Sequence, residues 1–183
     1  MKTRNLMYVA LFTALTAIGA IFLKIPLPYI PITLQVFFCL LAGILLGAKL
    51  GMASQIVYLA VGLCGIPVFT LGGGPAYVLQ PSFGYLLGLI ICAFVVGKLT
   101  ERLEKPKISK LFLINIIGVL TIYAIGVPYL YLMKNLYLGS QTSLWMVLYY
   151  GFITTVPGDI LKCYLAALIG VRLIPIVRKY LYK

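Results

Sequence analysis

The stretch LFLINIIGVLTIYAIGVPYLYLM, Leu111–Met133, carries no charged residue, and its reading decides the fold class. An α-helix rising 1.5 Å per residue crosses about 30 Å of hydrocarbon with roughly 17 to 25 residues, so this run spans a bilayer unaided. Its apolarity is continuous, whereas a transmembrane barrel strand alternates apolar and polar positions; a helix is therefore expected. Working outward, similar runs lie at Leu6–Leu23, Thr33–Leu46, Met52–Cys64, Phe83–Val96 and Ile160–Val177. The shorter ones reach spanning length only with their flanks, which predicts a compact bundle with tight connections. Composition agrees: of 183 residues 63% are hydrophobic and only 10% charged, with mean hydropathy +1.10. A soluble domain of this size could not bury so much apolar surface. The expectation is an all-α integral membrane protein, a compact bundle of six transmembrane helices in one membrane domain over residues 1–183. Leu6–Leu23 is read as a retained first helix: it is long for a signal-peptide core, and Lys24-Ile25-Pro26-Leu27-Pro28 lacks a small-residue cleavage pattern.

A net charge of +12 suggests nucleic acid until the basic residues are placed. With six helices alternating from an inner N-terminus, Lys2, Arg4, Lys49, Lys98, Arg102, Lys105, Lys107, Lys110, Arg172, Arg178, Lys179 and Lys183 fall on one side, and only Lys24 and Lys134 on the other. This is the positive-inside pattern of a multi-pass cell-membrane protein: both termini cytoplasmic, a basic face towards anionic lipid, and no nucleic-acid partner. Cys39, Cys64, Cys92 and Cys163 stand on separate apolar segments, without a CxxC pair and without any histidine. They are read as buried packing residues, and neither a metal nor a cofactor is expected.

Three prolines in KIPLPYIPI, Lys24–Ile32, exclude a continuing helix and predict an extended outer loop. Gly47–Gly51 predicts an inner turn. Gly65 to Pro81, with Gly72-Gly73-Gly74-Pro75, forms the second outer loop; Lys98–Lys110 is a solvated inner loop containing Glu101 and Glu104. Leu144–Thr155 is too short to span, and a seventh crossing would carry the basic C-terminus outside. A short extra outer helix is expected there, with the sixth spanning helix starting near Pro157, since proline suits a first turn.

That last helix opens with VPGDILK, Val156–Lys162. Asp159 is the one acid outside the inner loop, and Lys162, three residues on, projects from the same side of the helix. The plain account is an aspartate stabilised by the helix dipole and neutralised by the lysine. The sharper one is a ligand grip, because ionisable groups inside a membrane usually line a cavity or pathway. Gly73 sits in a loop that admits close backbone approach, but a flexible turn explains it equally, and no GK[ST] follows to make a P-loop. Gln80, Phe83 and Tyr85, at the outer end of the fourth helix, read either as ligand wall or, with Tyr77, as an interfacial aromatic belt. Gln35 adds an amide at the same level. In the first helix Ala10 and Ala14 are small residues four apart, a pattern of close helix contact, either within the bundle or with another membrane protein.

Taken together, PITLQVFFCLLAGILLGAKLG (Pro31–Gly51), GIPVFTLGGGPAYVLQPSFGYLLG (Gly65–Gly88) and VPGDILKCYLAALIG (Val156–Gly170) resemble the BioY family, the biotin-specific substrate-capture (S) components of energy-coupling factor transporters. The resemblance implies a six-helix bundle and high-affinity capture of biotin in an outward-facing pocket roofed by the two outer loops. It implies binding roles for Asp159 and Lys162, then for Gln80, Tyr85 and the Gly73 region. Ala10 and Ala14 match the position by which S components dock on a transmembrane coupling subunit that a pair of ATPases drives. The competing reading is a proton- or cation-coupled carrier using Asp159 and Lys162 as a relay, for which one acid and no histidine are poor material. An enzyme would need clustered acids, histidines or a nucleophile with its base, and the chain offers none.

Overall fold

A computed structural model describes residues 3–22, 24–25, 30–103 and 106–181. Pro26–Tyr29, at the centre of the expected outer loop, and Lys2, Glu104, Lys105 and Lys183 lie outside the described residues. The helices are α1 (Thr3–Ile21), α2 (Gln35–Leu63), α3 (Phe83–Glu101), α4 (Ile108–Leu132), α5 (Leu144–Leu148) and α6 (Val156–Leu181). Five helical stretches among the described residues are long and apolar enough to cross a membrane. One antiparallel pair, β1 (Lys24–Ile25) with β2 (Ile32–Thr33), sets Lys24 opposite Thr33 between α1 and α2.

The expected five-residue inner turn collapses to one residue. α2 runs from Gln35 to Leu63 as two helical arms, 35–46 and 48–63, broken at Gly47 with φ 80° and ψ −176°. That backbone state is closed to most L-residues, so the one-residue turn needs glycine. The second arm starts with unpaired amides, and Glu101 at the end of α3 answers them: its Oε1 accepts from the Ala48 N–H at 2.8 Å. A carboxylate at a helix start satisfies an orphan donor and complements the dipole. Gly97 lets this corner close, because a Cβ there would collide with the Gly47–Ala48 backbone.

The arms of α2 pack against α3, with α4 and α6 completing the core around Leu40, Ile44, Leu111 and Ile174. Cys39, Cys92 and Cys163 are buried there as expected, but Cys64 is exposed. It caps the C-terminus of α2 where the loop of residues 65–81 begins. Tyr77 also departs from the belt reading: it is buried, its ring 4.5 Å from that of Phe69. α4 continues through a π-turn, Met133–Tyr137, and a second π-turn, Tyr149–Ile153, joins α5 to the start of α6. Pro157 falls in the first turn of α6, and Asp159 follows it there.

Candidate ligand cleft

The end of the second π-turn and the first two turns of α6 present Thr155, Asp159 and Lys162 to a cleft also lined by Val36 of α2, Leu86 and Leu89 of α3, Ile122 of α4 and Ile30 to Thr33. With the solvent space at its opening counted, it holds about 490 Å³ of empty space. Its walls are mainly aliphatic. Its polar groups converge at one corner.

At that corner Lys162 Nζ donates to Asp159 Oδ1 at 2.6 Å, and Tyr123 Oη donates to Asp159 Oδ2 at 2.5 Å. Asp159 and Lys162 are each only 7% exposed. Burying two charges is costly, and their mutual attraction offsets that cost only when their remaining hydrogen-bond capacity is also met. A carboxylate offers about four acceptor sites and an ammonium three donors. The contacts described use two acceptors and one donor. The corner therefore retains both kinds of capacity beside a void, which suits a ligand head carrying adjacent donors and an acceptor.

Tyr123 is positioned in turn. Its hydroxyl lies 2.8 Å from Thr155 Oγ1, and its ring makes edge contacts with Phe152 at 4.7 Å and Tyr85 at 6.2 Å. Tyr85 is locked more firmly, its hydroxyl donating to the Gly151 carbonyl at 2.8 Å. Its ring lies against Gly126, where a Cβ would come within 2.6 Å of it. Tyr85 therefore offers the cleft a fixed aromatic face.

Gln35 lines the opposite wall. Its Nε2 donates to Tyr58 Oη at 2.6 Å, and its Oε1 accepts from Thr33 Oγ1 at 3.0 Å and Thr70 Oγ1 at 3.4 Å. Tyr58 Oη donates onward to the Val68 carbonyl at 3.0 Å, and Lys24 Nζ to the Thr70 carbonyl at 3.2 Å. Gln35 thus joins β2 to the loop after α2 at the rim of the cleft.

The fold brings Asp159, Lys162, Tyr85 and Gln35 to one cleft and leaves Gln80, Phe83 and Gly73 off its wall. Gln80 is exposed after the 3₁₀ turn Pro75–Leu79. Phe83 is buried with its ring 5.9 Å from that of Tyr129. Gly73 is exposed on its loop, against the Ile66 carbonyl. Ala10 and Ala14 are exposed on α1, in line with exposed Met7, Leu11 and Ile18, so no described residue covers that face. Sequence reasoning missed Tyr123 and Thr155. A signal existed for Tyr123: a phenol in mid-span must find a partner for its hydroxyl.

The model of the BioY family matches residues 1–179. The chain belongs to the BioY family. It is 47% identical over 177 residues, 97% of the chain and 90% of the relative, to a probable biotin transporter BioY of Lysinibacillus sphaericus. It is 38% identical to the biotin transporter BioY of Thermotoga maritima, over 93% of the chain and 95% of that protein. Among solved structures it resembles an S-component for biotin from an ECF-type ABC transporter, with TM-score 0.82 and 31% identity over 94% of the chain and 91% of the other. BioY membership sets it among membrane transport components and not among enzymes.

Proposed function

We propose that the chain is the biotin-capturing S component of an ATP-driven uptake system in a prokaryotic plasma membrane. One observation carries this reading: a buried Asp159–Lys162 pair, oriented by Tyr123, faces a mainly aliphatic cleft between the helices. Biotin presents a ureido ring with two N–H donors and a carbonyl, an apolar bicyclic body and a carboxylate tail. Asp159 accepts from the ureido N–H groups and Lys162 donates to a ligand oxygen. Leu86, Leu89, Ile122 and the Tyr85 face cover the apolar body, and Gln35 stands at the rim. Gln80, Gly73 and Phe83 belong to the outer layer, where they shape the roof and its footing without forming the inner wall.

The break at Gly47 supports six crossings, with the arms of α2 counted separately, both termini on the basic cytoplasmic side and Leu144–Ile153 as an extra outer helix before the sixth span. The uncovered α1 face at Ala10 and Ala14 suits docking on a transmembrane coupling subunit, which two ATPase subunits would drive. A cation relay gains no support, since Lys162 already neutralises the one carboxylate at the cleft. The deciding experiment is equilibrium binding of labelled biotin to the purified chain. Saturable binding at one site, competed by unlabelled biotin, is the expected result; absence of binding by a folded preparation removes the assignment.

A further inference from the structure

We propose that the groove between the start of α4 and the C-terminal half of α6 binds one anionic phospholipid from the leaflet at the basic end of the bundle. The two helices run antiparallel in a register set by named contacts. Tyr123 meets Asp159, Asn115 Nδ2 donates to the Cys163 carbonyl at 2.9 Å, and the rings of Phe112 and Tyr164 meet edge-on at 6.4 Å. Carried on, that register brings Lys107 level with Arg172. Tyr164, Val171 and Arg172 are spaced i, i+7, i+8 and so share one face of α6.

Beyond the ring pair Leu111 still packs against Gly170 on the inner side, and the outer side leaves a shallow open groove, about 1090 Å³ with the adjoining solvent space counted, lined by Lys107, Ile108, Ser109, Phe112, Tyr164 and Val171. Its wall is apolar and aromatic; Lys107 lines it and is exposed, and Arg172, also exposed, follows the lining residue Val171 on α6. No described carboxylate answers these two cations. Glu101 is held on the Ala48 N–H, and Asp159 lies paired with Lys162 about 20 Å further along α6.

A cationic rim over an apolar trough complements a phosphodiester head with acyl tails. Basic pockets between spanning helices hold anionic head groups in this way, each Lys or Arg near the surface being worth about fivefold in affinity. A protein segment would need acids at the rim as well as an apolar face, whereas a phospholipid supplies both in one molecule and is always at hand.

The test uses the full chain in neutral detergent, titrated with phosphatidylglycerol or phosphatidylcholine and read by native mass spectrometry. The wild type is expected to retain one phosphatidylglycerol with a preference of about twentyfold over phosphatidylcholine. Lys107→Gln with Arg172→Gln should bring that preference near unity. Lys49→Gln with Lys98→Gln removes the same charge from the same end and should leave it intact. Labelled-biotin binding, unchanged in both double variants, serves as the folding control. Equal retention of the two lipids, or equal loss in the two double variants, overturns the proposal. So does a Ser109→Cys probe that crosslinks to a protein subunit in the assembled transporter while no lipid is retained.

Discussion

Asp159 sits in the first turn of α6, where the dipole favours an anion, and both its oxygens are engaged, one by Lys162 and one by Tyr123. Replacing it with asparagine keeps the shape and removes the charge. Hydrogen bonds to charged groups contribute about 1.5–3 kcal/mol, so Asp159→Asn should weaken biotin binding by roughly ten- to a hundredfold. Calorimetry showing unchanged affinity would remove Asp159 from the site. Tyr123→Phe isolates the orienting hydroxyl while keeping the ring contacts with Tyr85 and Phe152. It should cost about tenfold in biotin affinity with the elution profile in detergent unaltered. A variant that binds as well as the wild type would show that Lys162 alone holds the carboxylate.

At the scale of elements, the sharp reversal in α2 depends on one glycine and one distant acid. Gly47→Ala forces a side chain into a positive-φ position and against the Glu101 carboxylate. A side chain held at positive φ with extended ψ costs about 1–3 kcal/mol before any clash, so the variant should unfold several degrees lower in a detergent melt. Glu101→Gln keeps an acceptor for the Ala48 N–H but loses the charge, and the smaller loss of a few tenths to about 1 kcal/mol is expected. Equal melting of Gly47→Ala and wild type would mean that the corner relaxes freely.

Across the whole molecule, the cleft and the α1 face are separate surfaces, so the proposed function assigns capture and assembly to different residues. Ala10 and Ala14 point away from the core, so Ala10→Leu with Ala14→Leu should leave biotin affinity within about twofold. Co-purification with a coupling subunit should fall sharply, since close helix contact in lipid requires small residues. Intact assembly by the double variant would place docking on another face.

The amino-acid sequence by itself determined that this chain is a helical membrane bundle, because uncharged runs such as Leu111–Met133 can satisfy their backbone in lipid only as helices. It also determined the charged corner, since Asp159 and Lys162 lie one helical turn apart and meet by local geometry alone. Tertiary structure decided the rest. Tyr123 reaches Asp159 from a helix 36 residues earlier, and no spacing rule links positions joined only by packing. The same reason explains why Gln35 and Tyr85 line the cleft while Gln80, Phe83 and Gly73 do not: all are plausible wall residues by type, and the way α2, α3 and α4 pack sets which ones face the void. The exposed Cys64 and buried Tyr77 tell the same story, because burial is a property of neighbours that a residue's own chemistry does not specify.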